Sequence, residues 1–205
     1  MNAMSEEQGV QGKRAAQGRA TRGQLIEVAT ALFAEHGYEG TSIEAVLTAA
    51  GVSRGALYHH FAGKEALFTA VLEALNDRIT EQQIQILSGC ADPVEALRVG
   101  ALGWIDLAGD PVIQQILLID APSVLGWERW RAMDEGRTVS AMRDMLQAVS
   151  DSGRLPAELV GPFAHMILAA LDEAALIVAR APDSRAAVAE ERQAVEAFLD
   201  RLLRP

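Results

Sequence analysis

The sequence predicts an all-α protein: a small N-terminal helix-turn-helix domain of three helices followed by a helical bundle, about nine helices in total. Apolar side chains recur at the three- and four-residue spacing of amphipathic helices, and no segment shows the alternation of a strand. Half of the residues are hydrophobic but only 5% are aromatic, which is typical of helical proteins rich in Ala and Leu. Helix start signals such as Asp92-Pro93 and Asp110-Pro111 divide this pattern into separate helices. The sequence also predicts a first helix that stops at Gly37, an interruption over residues 121–126, a seventh helix over about 127–150 and an eighth that starts near Pro162.

The most informative stretch is residues 41–61, TSIEAVLTAAGVSRGALYHHF, which predicts two short helices joined by a tight turn. Thr41 lies three residues before Glu44, the spacing of a capping box at a helix start. Gly51 can adopt the positive φ that ends the first helix. Ser53 is a good N-cap for the second helix.

The outer face of the second helix carries side chains that suit a DNA groove. A helix of seven residues is not stable alone, so this one must pack on its neighbours. Arg54 could pair with O6 and N7 of guanine, and Ala56 could contact a thymine methyl group. Gly55 and Ala56 would allow a close approach to the groove. The alternative is that Arg54 is only a solvated charge and that the small residues are ordinary helix positions.

The segment GVSRGALYHHF, followed by GKEALF, resembles the DNA-binding domain of TetR-family (TetR/AcrR) transcriptional regulators. The similarity covers about residues 21–72, a quarter of the chain, with several residue types in register. Leu47 departs from the pattern, because the family commonly has a small Ala there. The resemblance implies that Tyr58, His59 and Lys64 contact DNA phosphates; Tyr58 is also expected to be half-buried against the first helix.

A further phosphate contact is expected at Thr41 and Ser42, since the amides and dipole of a helix N-terminus favour an anion. For Thr41, a capping role alone is the alternative. The complete set of residues predicted to bind DNA is Thr41, Ser42, Ser53, Arg54, Gly55, Ala56, Tyr58, His59 and Lys64.

The chain is expected to contain three parts: a disordered basic arm (1–20), a DNA-binding domain (21–72, with the motif at 42–61) and an effector-binding and dimerisation domain (73–205). Of the net charge of −10, residues 1–70 carry only −1, so the acidity lies away from the motif. The basic residues before the motif could reach phosphates or form only a solubilising tail. They are Lys13, Arg14, Arg19 and Arg22.

Several classes of function have no support in the sequence. The single Cys90 excludes an internal disulfide and a cysteine cluster for zinc. His59 and His60 are adjacent and point about 100° apart on a helix, which is unsuited to one metal ion. No nucleophile elbow or Gly-rich phosphate loop occurs, so no metal, cofactor or catalytic residue is expected.

A cytoplasmic protein is expected, because the polar N-terminus lacks the apolar core of a signal peptide. Asp172 and Glu173 interrupt the longest apolar run, so no membrane span and no membrane partner are predicted.

The C-terminal half offers large side chains that could line a ligand pocket or simply form the core. The polar groups nearby are few and mostly acidic, which favours a neutral or cationic ligand over an anionic one. On the eighth helix, His165 and Asp172 lie two turns apart, and they could face a pocket or a subunit interface. The predicted pocket residues are Trp104, Leu107, Trp127, Trp130, Met133, His165, Met166 and Asp172. The predicted dimer interface residues are Ala170, Ala174, Ile177, Phe198 and Leu202.

The resemblance implies a homodimeric repressor whose last two helices form a four-helix interface. Two recognition helices would then enter successive major grooves of a near-palindromic, double-stranded operator. A small, mostly apolar effector would shift the protein to a state that releases DNA. Two alternatives remain open: an activator or a regulator without effector, and a helical enzyme or lipid-binding module that carries a DNA-binding domain.

Overall fold

The structure is a computed structural model that describes the backbone of residues 3–126, 128–130 and 138–203, and the side chains of these ranges from residue 15 onward. In this part of the chain the regular structure is helical and no strand occurs, which confirms the predicted all-α fold. The chain divides into two compact units, Met1–Ala74 and Leu75–Pro205.

The first unit is built from the N-terminal helices. They are α1 (Ala3–Gly40), α2 (Ile43–Ala50), α3 (Arg54–His60) and the first part of α4 (Lys64–Leu87). Helix α1 is broken at Gly37, where φ is 69°, close to the predicted stop. A disordered arm was expected over residues 1–20, whereas from Ala3 onward the chain is part of α1. Ala, Gln and Arg before Leu25 favour helix and outweigh the four Gly residues of the same stretch, so the helix extends ahead of its buried face.

Aromatic packing fixes the core of the first unit. The ring of Phe68 lies edge-on to Phe33 and Tyr38, with centroids 5.1 and 5.0 Å away. Leu25 on α1 and Leu57 on α3 are also fully buried. Each fully buried side chain of this size contributes about 1.5–3 kcal/mol. This core holds the short α3, which could not persist alone, against α1.

The second unit contains the rest of α4 and the remaining helices. They are α5 (Pro93–Leu107), α6 (Pro111–Leu125), α7 (Ser140–Asp151), α8 (Val160–Arg180) and α9 (Ser184–Leu202). The predicted starts of α5 and α6 are confirmed, since carboxylates of Asp92 and Asp110 accept hydrogen bonds from backbone amides of the first turn.

Helix α6 differs from the prediction. It consists of a short α-helical start, a π-helical segment Gln114–Asp120 and an α-helical end Ala121–Leu125. The expected interruption over residues 121–126 is therefore wrong up to Leu125, and the helix ends at Gly126, where φ is 79°. Pro122 is tolerated because it lies in the first turn of the final α-helical segment, where its missing amide costs little.

The later helix boundaries agree in part with the sequence. The predicted seventh helix, 127–150, lies partly outside the described residues, and α7 ends at the turn that contains Gly153, with φ 79°. Helix α8 begins at Val160, two residues before the predicted Pro162, after a 3-10 turn over Ala157–Leu159.

Helix α8 is the central helix of the second unit and packs against α5, α7 and α9. By length and composition alone, Ala157–Arg180 would suffice to cross a membrane, as would the bent pair α5 and α6 taken together. The prediction that Asp172 and Glu173 rule out such a segment is therefore wrong. A core helix of a soluble protein has the same character, and α8 buries its face of Ala164, Ile167 and Leu171.

Candidate DNA-binding surface

The turn between α2 and α3 forms as the sequence predicts. Gly51 adopts φ 63° and ψ 30°, and its amide donates to the carbonyl of Thr48. Oγ of Ser53 accepts a hydrogen bond from the amide of Ala56 at 3.2 Å, so Ser53 is the N-cap of α3. Sequence reasoning missed Gln24, whose Nε2 donates to the carbonyl of Ala50 over 2.9 Å and ties α1 to the end of α2. The local chain gives no signal of this contact.

The start of α2 corrects the predicted capping box. Ser42, not Thr41, is the N-cap, and its Oγ accepts from the amide of Ala45 at 3.1 Å. Thr41 is only 2% exposed, and its hydroxyl lies within hydrogen-bond distance of the carbonyls of Leu32 and Gly37. The Thr41 side chain is therefore committed to the core and is not on the DNA surface. Ser42 is exposed at the helix start.

Arg54 and Glu44 form an ion pair across the motif. Nη2 of Arg54 bonds Oε1 of Glu44, with side chains 60% and 63% exposed. The Glu44 carboxylate accepts a hydrogen bond from the backbone amide of its own residue and a second one from the Arg54 guanidinium. These two contacts, the first more than the second, lower the pKa of the Glu44 carboxyl below its ordinary value. Glu44 is thus an anion at neutral pH, and it lies beside the cation predicted to read a base.

The remaining predicted residues of α3 have different exposures. Gly55, Tyr58 and His59 are exposed, whereas Ala56 is half-buried. An added Cβ at Gly55 would meet only the hydroxyl of Ser53, at 3.9 Å, so the surface above it is open. The turn of α3 that begins with Arg54 therefore presents one cation and one small residue to solvent, followed by two rings.

Lys64 lies at the start of α4, where its half-buried side chain contacts an aromatic ring. Its Nζ is 4.1 Å from the ring centroid of Tyr38, a cation–π contact. The contact holds the ammonium group at the helix N-terminus, and no sequence signal indicated it. Arg22, one of the four basic residues before the motif, similarly lies over the ring of Phe61 at 5.4 Å.

The second unit contains an open cavity of about 540 Å³ on α4, α5 and the turn that follows α5. Its lining residues are Gln82, Gln85, Ile86, Gly103, Asp106, Leu107, Gly109 and Asp110. Leu107 was predicted to face a pocket. Trp104, Trp130 and Asp172 are half-buried but do not line this cavity, and Trp127 and Met133 lie outside the described residues.

Two other predicted pocket residues are placed elsewhere. His165 and Met166 are exposed on α8, because the helix buries the face that carries Ala164, Ile167 and Leu168. Nε2 of His165 lies 3.2 Å from Nη2 of Arg143 on α7. The structure therefore corrects the assignment of both residues to a pocket.

The outer faces of α8 and α9 expose apolar side chains. Met166 is 60% and Ile177 45% exposed, and Ala170 lies exposed between them. Phe198 is exposed on α9, and Leu202 is half-buried. Ala174 is buried within its own subunit, so its assignment to a dimer surface is corrected.

No group of three or more His, Cys, Asp or Glu side chains suited to a metal occurs among the residues whose side chains are described.

The candidate site is a surface of α2 and α3 whose second helix is capped and exposed, which is the arrangement of helix-turn-helix regulators.

Comparison with known proteins agrees with this class. Residues 25–71 match the profile described as bacterial regulatory proteins, tetR family, and residues 94–202 match a tetracyclin repressor-like C-terminal domain. The second match alone spans half of the chain. The protein belongs to the TetR family of transcriptional regulators, as the resemblance of the motif predicted.

The similar proteins are named as transcriptional repressors or regulators. The repressor KstR2 of Mycobacterium tuberculosis is 37% identical over 84 residues, which cover 41% of this chain and 42% of KstR2. A TetR-family regulator from Pectobacterium atrosepticum has a solved structure with TM-score 0.81 and 31% identity, covering 93% of this chain and 97% of that one. FadR of Bacillus subtilis, solved in complex with stearoyl-CoA, has TM-score 0.73 at 21% identity, covering 86% and 96%.

Proposed function

We propose that this protein is a cytoplasmic, homodimeric repressor that binds a near-palindromic operator through α3 and leaves it when a small molecule binds the second unit. The observation that carries the proposal is the exposed turn of α3 that begins with Arg54. It combines a cation for guanine with a glycine that keeps the groove side open.

Charge supports the same surface as the contact with DNA. Although the chain carries −10, residues 1–70 are nearly neutral, so the acidic remainder does not lie on the motif itself. Arg54 and Lys64 are placed at helix starts, where amide dipoles add to their attraction for phosphate. The residues we propose as DNA contacts are Ser42, Ser53, Arg54, Gly55, Ala56, Tyr58, His59 and Lys64.

The apolar face of α8 and α9 supports a homodimer. Large apolar side chains that are as exposed as Met166 and Ile177 are typical of a surface that contacts another subunit. Ala170 lies beside them, and its small side chain would allow a second α8 to approach closely. A twofold dimer would present two copies of α3, and this is what a near-palindromic operator requires.

The cavity in the second unit supports a small-molecule effector. Its polar lining consists of two amides and two carboxylates, of which Asp106 is already paired with Arg192. Ile86 and Leu107 supply apolar surface. This lining favours a mostly apolar, neutral or cationic molecule. FadR, which binds stearoyl-CoA, is 21% identical and shares the fold, so its ligand is one class to test rather than an assignment.

The test of DNA binding is selection of duplexes from a random library by the purified protein. We expect an enriched near-palindrome whose two halves lie about one helical turn apart, and a competing scrambled duplex that binds far more weakly. Failure to enrich any sequence over several rounds would contradict the proposal.

The test of the effector is a thermal-shift screen with neutral, cationic and acyl-CoA compounds, followed by release of the selected duplex. A neutral or cationic compound that both stabilises the protein and releases DNA is expected. If only anionic compounds do so, our proposal for the ligand's charge is wrong, while the repressor function stands.

A further inference from the structure

We propose that Glu44 is a specificity-determining residue of the DNA surface. Its ion pair with Arg54 weakens the attraction of this cation to DNA phosphates, which is independent of sequence, and orients the guanidinium for a contact with a base. This role rests on the proposed function of α3 as the reading helix. Arg54 begins α3 and Glu44 lies in the first turn of α2, so the pair joins the two helices of the motif at their N-termini.

The pair is not needed to hold α2 and α3 together. Both side chains are mostly exposed, and an exposed ion pair contributes little to folding because water and salt screen it. Each helix has its own N-cap, Ser42 or Ser53, and the fully buried Leu57 anchors α3 in the core. Removal of the Glu44 charge should therefore affect DNA binding more than it affects the stability of the fold.

The consequence follows from the charges. An unpaired Arg54 would be attracted to the phosphates of every duplex, since phosphate contacts carry no sequence information. The Glu44 carboxylate offsets this attraction and is itself repelled by the backbone. A guanidinium has five N–H donors, and the contact to Glu44 is made from Nη2. Donors remain for O6 and N7 of a guanine. Because the pair already limits the orientations of the Arg54 side chain, less conformational entropy is lost when it binds a base.

The experiment compares Glu44→Gln with wild type on the selected operator and on a scrambled duplex, at several salt concentrations. Gln keeps the size of the side chain and removes its charge. We expect tighter binding to the scrambled duplex by several-fold, with a salt slope steeper by about one unit. Binding to the operator should stay the same or weaken, so the ratio of the two affinities falls.

Two comparisons isolate the pair. Glu27→Gln removes the same charge from an exposed position on α1, and it should change binding to both duplexes equally. In an Arg54→Ala background, Glu44→Gln should no longer alter the affinity ratio, because the cation that it restrains is absent.

The outcomes separate this role from the function on which it rests. A wild type without sequence preference overturns the proposed function and this role together. A wild type with preference overturns only the role of Glu44 in two cases: if Glu44→Gln behaves like Glu27→Gln, or if its effect persists without Arg54.

Discussion

Nη2 of Arg154 lies 2.7 Å from Oδ2 of Asp92, which ties the turn after α7 to the N-cap of α5. The two residues are 62 positions apart in the chain. Oδ1 of the same carboxylate accepts a hydrogen bond from the amide of Glu95 at 2.9 Å. One carboxylate thus caps a helix and anchors a loop, and both contacts are stronger when it is ionised.

The pH dependence of stability should reveal this carboxylate. The side-chain hydrogen bond from Arg154, and then the amide of Glu95, lower the pKa of Asp92 in the folded protein below its ordinary value. The unfolded chain therefore takes up the proton first, so the contribution of Asp92 is complete above the unfolded pKa and is lost as pH falls through the lower folded pKa. Asp92→Asn should destabilise the protein at neutral pH, and the loss should shrink below about pH 4.

Urea unfolding of both proteins across this pH range measures the effect, and Arg154→Gln should follow the same profile. A loss from Asp92→Asn that does not change with pH would show that ionisation of this group is not coupled to folding.

Thr41→Val should destabilise the first unit by about 1–3 kcal/mol, because it removes the buried hydroxyl that binds the part-buried carbonyls of Leu32 and Gly37. The matched control is Thr48→Val, whose exposed hydroxyl bonds the carbonyl of Glu44 within α2. This control should stay within about 0.5 kcal/mol of wild type. Equal unfolding midpoints for the two variants would contradict the assignment of Thr41 to the core.

Arg54→Ala should cost about 1–3 kcal/mol of operator affinity and relax the preference at one base pair of each half-site. The reason is that a guanidinium paired with guanine discriminates between bases, whereas a phosphate contact does not. Titrations on a set of operators with single base changes would measure this. A uniform loss over all of them would assign Arg54 to the backbone instead.

Lys64→Ala provides the contrasting case. Its ammonium group is a point charge at a helix start, so its loss should weaken all duplexes alike and lower the salt slope by about one per half-site. Tyr38→Leu should give a smaller loss, since it removes the ring that positions Lys64 but keeps the charge. Unchanged slopes in Lys64→Ala would remove Lys64 from the DNA surface.

Ala170→Glu should convert the proposed homodimer into monomers and abolish tight operator binding, because a charge would be buried at the apolar face of α8. The control is Ala157→Glu, an exposed position in the 3-10 turn before α8, which should remain dimeric. Sedimentation equilibrium distinguishes the two. If Ala170→Glu stays dimeric, the interface lies elsewhere. Ala174→Glu cannot replace this test, since a charge at this buried position would unfold the subunit itself.

Gly103→Leu should block release by the effector while operator binding stays intact. Gly103 lines the cavity, and an added Cβ would lie 3.6 Å from the Gln83 amide and 3.7 Å from Ile86. These are ordinary contact distances, so the helix should accept the residue while the longer side chain fills the space. Gly103→Ala is the matched control and should still respond. A Leu variant that is released normally would exclude this cavity as the effector site.

Most of the fold was predictable because its signals are local. Gly51 ends α2, Ser53 caps α3, and Asp92 followed by Pro93 starts α5, and each of these requires only neighbouring residues. The break at Gly37 belongs to the same group. Such positions fix helix ends whatever the tertiary packing is.

The details of the site were less predictable, because they depend on contacts between distant segments. Thr41 fits a capping box by spacing, but carbonyls of α1 bind its hydroxyl, and this leaves the cap to Ser42. The pair of Arg54 with Glu44 bridges two helices and has no local signature. On α8, periodicity does not tell which face is inward, so Met166 was placed in a pocket although it is exposed.

The π-helical segment Gln114–Asp120 has a consequence for insertions and deletions. A wider turn accommodates roughly one residue more than an α-helix between the same two ends. The flanking buried residues Ile113 and Ala121 therefore keep their inward positions despite the additional residue. Removal of one residue here should leave a regular helix with both flanks in place. The same deletion within α8 would rotate every later side chain by about 100° and expose the core. Length variation among related chains is accordingly expected in α6 and not in α8.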